Sequence, residues 1–321
     1  MTGEFDLIRQ YFHFPQGRGV ALGPGDDCAL LRPQPGRQLA LTSDVLVQGV
    51  HFPEEAEPAA VGHKALAVNL SDLAAQGAEP LWVTLGLTLP EADTAWLAGF
   101  AAGFRALLEQ QGASLVGGDT TRGPLAIAIT ALGQVPEGEA LLRSGARAGD
   151  LICVSGHIGD AGLALMALQG RVSLPPADWQ ALAPRLHRPE PRVALGLALR
   201  GVATACIDVS DGLLADLGHL LQASGVGAEL RLGAMPFSPP VQRWLASGGD
   251  PMTLLGAGDD YELLFTLPAS ARARLPELAE VGGVPLAVIG EVAAAAGIRL
   301  FTAEGEAVRV EPAGYDHFGT D

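Results

Sequence analysis

The sequence predicts a mixed α/β protein of two domains, and three observations lead there. At 321 residues the chain can bury a sizeable core and more naturally makes two domains than one. Short β-rich runs alternate with longer helical patterns throughout. Aromatic residues make up only 5% of the chain, so the core must be built from Ala, Leu and Val, which suits an α/β or α+β architecture better than a β-sandwich.

Taken in order, apolar runs predict strands over residues 39–43, 81–89, 125–135, 151–155, 204–209, 262–267 and 286–290. Helical patterns predict helices over 62–77, 92–111, 159–169, 192–200, 213–224 and 269–281. In the first helix Leu66, Leu70 and Leu73 form the apolar face, with Asn69, Asp72 and Gln76 in a stripe beside it. The segment PEGEALLRSGARAGD, residues 136–150, is rich in Gly, Ala and charge and separates two α/β stretches. The domain junction is placed there, near Gly138, giving domains 1–138 and 139–321. No short-period repeat or low-complexity block interrupts this pattern.

Charge narrows the function. There are 36 acidic and 20 basic residues, a net charge of −16, and Lys64 is the single lysine. Such a surface repels nucleic acid and anionic membranes, and a bound polyphosphate would need metal ions to join like charges. No apolar run reaches the roughly 18–20 residues of a bilayer span. The start, MTGEFDLIRQYF, lacks the basic and apolar regions of a signal peptide, so a cytoplasmic location is expected. Cys28, Cys153 and Cys206 are far apart without zinc spacing and read as small core residues. Lys64, at a helix start, reads as solvent-exposed or lightly paired. A Walker A loop is absent, because Lys64 is followed by Ala65 and Leu66, and no GxGxxG, GxSxG or HExxH occurs.

What remains is a series of aspartates beside Gly, Ser or Thr: GPGDDCALL, LTSDVLVQGVHF, NLSDLAAQGAEP, LVGGDTTRGP, IDVSDGLLADLGH and GAGDDYELLF. Singly, each has a plain reading: a turn at Asp26 or Asp27, a helix cap at Ser210 or Asp211, a solvated stripe at Asp72. Asp44 and Asp119 are different, since LALTSD and ASLVGGD each read as an apolar strand ending in a carboxylate, where ligands gather in open α/β sheets. Several such carboxylates repel one another unless cations lie between them. Oxygen donors without a Cys or His cluster point to Mg²⁺ bridging carboxylates and phosphates.

Apart from LTSDVLVQGVHF these segments, with GEFDLIRQYF, RSGARAGD and the terminal GYDHF, resemble in order the motif series of the thiamine-monophosphate kinase family, across nearly the whole chain. The resemblance implies the aminoimidazole ribonucleotide synthetase-like fold, with two α/β domains meeting at the active site and N-terminal domains paired in a homodimer. Domain 1–138 would bind ATP and Mg²⁺ and dimerise; domain 139–321 would close the site. It also implies ATP, several Mg²⁺ ions and thiamine monophosphate as acceptor. By the resemblance, metal ligands fall on Asp27, Thr42, Ser43, Asp44, Asp72, Asp119, Asp208 and Asp211. ATP contacts fall on Gly118, Asp119, Arg143 and Ser210, and thiamine phosphate contacts on His51 and Asp259. The family more often has Glu at the position of Asp259, which leaves Asp260 or a water as alternatives for that contact. Where the family often carries a stacking aromatic before GYDHF, this chain has Glu311-Pro312-Ala313, so Tyr315 or Phe318 is the alternative. No dedicated catalytic base is expected, since a phosphate acceptor with a second pKa of about 6 is already largely anionic. Two other readings stand beside this one. One is a different ATP-dependent enzyme of the same fold, such as aminoimidazole ribonucleotide or selenophosphate synthetase. The latter normally has an N-terminal Cys or selenocysteine and Lys, absent before Cys28. The other is a nucleotide-binding sensor without turnover.

Overall fold

The computed structural model describes residues 4–302, 304–308 and 310. The chain is mixed α/β and divides into two compact units: one runs to Leu73 and resumes over Ala78–Gly138, the other comprises Ala74–Gly77 and everything from Glu139.

The first unit runs α1 (Glu4–Tyr11), β1 (Val20–Leu22), β2 (Leu30–Leu31), β3 (Arg37–Val47), α2 (Pro58–Ala75), β4 (Glu79–Leu89), α3 (Thr94–Gln110), β5 (Ser114–Arg122) and β6 (Ala126–Pro136). Its four-stranded sheet has the order β3-β6-β4-β5, and only the β4–β5 pair is parallel. Helix α2 is apolar on nearly every side, as a helix buried in the interior must be. It can approach α3 closely because a side chain at Gly103 would lie 1.8 Å from the Ala59 carbonyl oxygen. Asp93 caps α3 by accepting the N–H groups of Ala95 and Trp96. Leu81, Trp82 and Val116 form a smaller core with Val20 and Leu31 of the β1–β2 hairpin.

The second unit runs β7 (Asp150–Ser155), α4 (Asp160–Leu168), α5 (Pro176–His187), α6 (Val193–Leu199), β8 (Ala205–Asp208), α7 (Leu213–Ser224), β9 (Gly227–Arg231), α8 (Pro239–Ala246), α9 (Pro251–Leu255), β10 (Leu263–Pro268), α10 (Leu275–Gly282), β11 (Leu286–Ala293), β12 (Gly297–Phe301) and β13 (Ala307–Val308). The seven described strands are ordered β13-β12-β9-β11-β7-β10-β8. Every residue of β7 is buried, and its alternation divides the core. Ile152 and Val154 join the layer containing α7, while Leu151 and Cys153 join the layer containing α6.

Several expectations change. The predicted strand over 39–43 extends through Asp44 to Val47, because all eleven residues of β3 pair with β6. The strand entering Asp119 likewise continues to Arg122, paired with β4. Neither carboxylate ends a strand, and the rule for parallel sheet ends does not apply to this largely antiparallel sheet. The helix predicted over 269–281 is a 3₁₀ turn, Ala269–Arg274, followed by α10; Pro276 lies in the first turn of α10, where its missing N–H is harmless. Cys153 and Cys206 are buried, but Cys28 is exposed. Lys64 is buried within α2 rather than exposed at its start. Helices α1, α5, α8 and α9 and strands β1, β2, β9, β12 and β13 were not expected from the pattern. GYDHF, with Tyr315 and Phe318, lies outside the described residues, as does the stretch Glu311-Pro312-Ala313.

Candidate functional site

In the first unit the acidic residues fall into two groups. Thr42 and Asp44 lie two apart on β3 and so share a face. The Thr42 hydroxyl donates to the Asp72 carboxylate on α2. The Asp44 backbone N–H donates to the side-chain oxygen of Asn69 at 3.1 Å, and the Asn69 amide donates back to the Ala65 carbonyl. Asn69 is completely buried, so it fixes α2 against β3 and presents Asp72, three residues on, beside Asp44. Burial, and then repulsion from Asp72, push the Asp44 carboxyl up to about 6.

Ser43 points the other way, as the strand period requires. Its hydroxyl donates to the Ile129 carbonyl and pairs with Thr130, each at 3.0 Å. The structure therefore does not bring the Ser43 hydroxyl to the Thr42–Asp44–Asp72 group, and only its backbone carbonyl is left to serve there.

The second group lines a cleft of about 590 Å³ between α1, the loop holding Asp26 and Asp27, and β5 at Gly118 and Asp119. Gly118 has φ +152°, and a side chain there would lie 1.9 Å from the Leu85 carbonyl oxygen, so only glycine fits. Asp26 accepts the N–H of Asp27 at 2.9 Å, turning the loop. The two groups sit on opposite edges of the sheet. Asp44, Ile129, Leu85 and Gly118 form one row across it, and strand spacing puts the row's ends about 14 Å apart along the sheet.

His51 follows a tight turn in which Gly49 has φ +80°. Its Nδ1 accepts the Val47 N–H at 2.9 Å, so the neutral ring carries its proton on Nε2.

In the second unit, β8 ends at Asp208, which is buried. The turn to α7 lies against the loop at 256–262: Asp259 donates its N–H to the Ser210 carbonyl at 2.9 Å, and Tyr261 to the Val209 carbonyl at 2.8 Å. Ser210, Asp211 and Asp259 are thereby brought together. Asp259 and Tyr261 both adopt positive φ, 72° and 48°, which costs energy in non-glycine residues. The neighbouring side chains of Asp260 and Glu262 hold them there. Asp260 accepts the Gly159 N–H at 2.7 Å at the start of α4. Glu262, fully buried, accepts from Ser155, Arg185 and both donors of an Arg192 fork. Burial raises Asp260 well above the ordinary carboxylate range, with Asp160 adding to it. Asp216, inside α7, is pushed up to about 7, chiefly by burial.

Arg143 is exposed, and its loop is pinned to the last residue of α7 by Ser224, which donates to the Arg143 carbonyl at 3.1 Å. A twelve-residue helix is about 18 Å long, so the structure does not bring Arg143 beside Ser210 at the other end.

The donors are carboxylate, hydroxyl and carbonyl oxygens. Among the described residues no three or more His, Cys, Asp and Glu side chains are grouped to cage an ion. The Asp44–Asp72 pair, already repelling across a short gap, fits a hard cation that retains waters and phosphate oxygens. Asp216, Arg185 and Arg192 were not singled out from the sequence, and Asn69 was read only as part of the stripe beside Asp72. The spacing of Asn69 to Asp72 was the available signal; nothing local marks the two arginines as partners of Glu262, more than 60 residues away.

Two family descriptions match in succession: "AIR synthase related protein, N-terminal domain" over residues 25–135 and "AIR synthase related protein, C-terminal domain" over 147–302. The chain is thus of the AIR synthase-related class, and the fold agrees. Thiamine-monophosphate kinase of Escherichia coli K12 is 46% identical over 321 residues, covering 99% of both chains, and that of Haemophilus influenzae is 40% identical over 98% of both. The crystal structure of the enzyme of that name from Stenotrophomonas maltophilia K279a superposes with TM-score 0.84 at 48% identity, covering 91% of this chain and 93% of that one. A structure of AaThiL complexed with AMPPCP and TMP gives 0.79 at 33%, covering 89% of each. E. coli HypE, at 22% identity and TM-score 0.78 over 98% and 97%, shares the fold alone. The chain belongs to the thiamine-monophosphate kinase family and is a kinase.

Proposed function

We propose that the protein transfers the γ-phosphoryl group of ATP directly, in line, onto a phosphate oxygen of thiamine monophosphate, yielding ADP and thiamine diphosphate. The observation that carries this reading is the Thr42–Asp44–Asp72 group, an oxygen-only set whose carboxylates repel each other until a cation joins them. Identity of 46% with a named thiamine-monophosphate kinase over 99% of the chain supports the choice of acceptor.

Asp44, Asp72 and Thr42 would hold Mg²⁺ on the β3 side, with the Ser43 carbonyl beside them. Asp27 and Asp119 would hold it in the cleft at β5. Asp208 and Asp211 are assigned as further ligands in the second unit. When bound, Mg²⁺ supplies charge neutralisation between donor and acceptor phosphates. Gly118, Asp119 and Ser210 contact ATP; Arg143 is assigned to it by resemblance. His51 offers Nε2–H to the acceptor, and Asp259 contacts the acceptor from its constrained loop. The acceptor oxygen is largely anionic at neutral pH, so no side chain need remove a proton. Residues 1–138 form the ATP- and Mg²⁺-binding, dimerising domain, and 139–321 the domain that closes the site.

A homodimer is proposed from β3. This edge strand exposes Leu39, Leu41 and Val45 on one face, with Leu41 65% accessible, and a second copy is the occupant implied by the family. A cytoplasmic location is part of the same proposal; the acidic balance supports the lack of a nucleic-acid or anionic-membrane partner, and no helix among the described residues is long and apolar enough to cross a membrane.

Incubation with ATP, Mg²⁺ and thiamine monophosphate, followed by phosphorus NMR, tests the reaction. Diphosphate-ester signals together with ADP are expected; unchanged ATP would mean a nucleotide sensor, and turnover only with another acceptor a different enzyme of this fold.

A further inference from the structure

The turn between β8 and α7 lies at a helix N-terminus, where unpaired N–H groups ordinarily make a ready cradle for phosphate. Just ahead of α7, the N–H groups of Ser210 and Asp211 are already taken. The carboxylate of Asp216, a side chain only 2% exposed and one turn into α7, accepts the N–H of Ser210 and the N–H of Asp211, each at 3.0 Å. The carbonyls of Val209 and Ser210 are engaged as well, by the N–H groups of Tyr261 and Asp259. Gly212, with φ +118°, closes the turn where a side chain would lie 2.8 Å from Gly256. With these backbone groups committed inward, the turn offers the side chains of Ser210 and Asp211, above a second carboxylate.

We propose that Asp216 is a positioning residue that makes this turn a cation-facing platform, by holding the Ser210 and Asp211 amides inward so that the side chains of those two residues, and not their N–H groups, meet the ligand. It acts through Ser210 and Asp211 and touches no reactant. The inference rests on the functional reading above, in which those two residues meet ATP and Mg²⁺.

The test compares wild type, D216N and D216A. In metal-free, nucleotide-free protein, losing the acceptor should raise amide hydrogen exchange at residues 210–212 at least about tenfold in D216A, the scale of one lost buried hydrogen bond. The Mg²⁺ concentration for half-maximal turnover should rise about tenfold in D216A and by about threefold in D216N, whose neutral oxygen accepts more weakly, while KM for thiamine monophosphate stays unchanged. An unchanged Mg²⁺ requirement in a folded D216A overturns the proposal, because the carboxylate would then merely tie the loop. So does D216N impaired as severely as D216A, because charge and not position would then matter. If D216A does not fold, D216N decides: a threefold rise supports the proposal, and a wild-type requirement overturns it. Wild type inactive toward thiamine monophosphate removes the functional reading and this inference with it; active wild type with unresponsive variants removes only the inference.

Discussion

At the scale of single residues, the site depends on carboxylates placed where their charge is costly until a cation arrives. Asp44 shows this most clearly, lifted to about 6 by burial and by Asp72. Its replacement by Asn keeps the side-chain size and leaves the backbone bond to Asn69 in place. D44N should therefore fold normally, with a melting temperature in metal-free protein at neutral pH no lower than that of wild type. Its turnover should drop roughly 100- to 1000-fold, equivalent to about 3–4 kcal/mol of lost charge stabilisation. Near-normal activity of D44N at limiting Mg²⁺ would remove Asp44 from the metal site. The sequence named Asp44, Asp72 and Thr42, and the structure gathers them. It did not reveal that Ser43 faces away, since that follows from the pairing of β3 with β6.

At the scale of elements, the loop at 256–262 shows how strain is held. Glu262 is fully buried between Arg185 and Arg192, and E262Q would remove the buried anion that the two guanidinium groups share, leaving Arg192 only the exposed Glu190. Breaking a buried pair in this way costs about 3–5 kcal/mol, so urea unfolding of E262Q should report a loss of that size. A loss below about 1 kcal/mol would mean that the network contributes little to stability. Asp260, at the start of α4, faces Asp160, Arg185 and the N–H groups of Gly159 and Ala161; Asp160 in turn faces His157, Glu262 and Ser238. Its folded pKa lies above the ordinary aspartate value of 3.8, so the folded state holds this proton more tightly than the unfolded chain does. Its contribution is therefore greatest at acid pH and falls as pH rises above that value. D260N removes the ionisation while retaining an acceptor for Gly159. The melting temperature of D260N relative to wild type should climb steadily from pH 4 to pH 8, and a flat difference would show that folding leaves the Asp260 proton equilibrium where the unfolded chain has it. The element boundaries were largely legible from apolar periodicity. Helices that begin on Pro176, Pro239 and Pro251 were not, because proline marks both a break and a first helical turn.

For the whole molecule, the exposed apolar stripe of β3 is the feature a monomer explains least. L41E places a charge at its centre without touching the α2 face of the sheet. Sedimentation velocity should show wild type at twice the monomer mass and L41E as a monomer that melts within a few degrees of wild type. A wild-type monomer would remove the dimer proposal, and a dimeric L41E would move the interface away from β3.

The chain's amino-acid order by itself determined the α/β character, the acidic motif set and the family, because these reside in composition, periodicity and short runs of residues. Tertiary structure alone decided which carboxylates become neighbours. Asp44 meets Asp72 across 28 residues, Asp216 reaches back to Ser210, and Glu262 finds Arg185 and Arg192 on a distant helix and loop. The strength of those encounters depends on burial and on a separation of a few ångströms, and both are properties of the packed chain that no local stretch of sequence encodes.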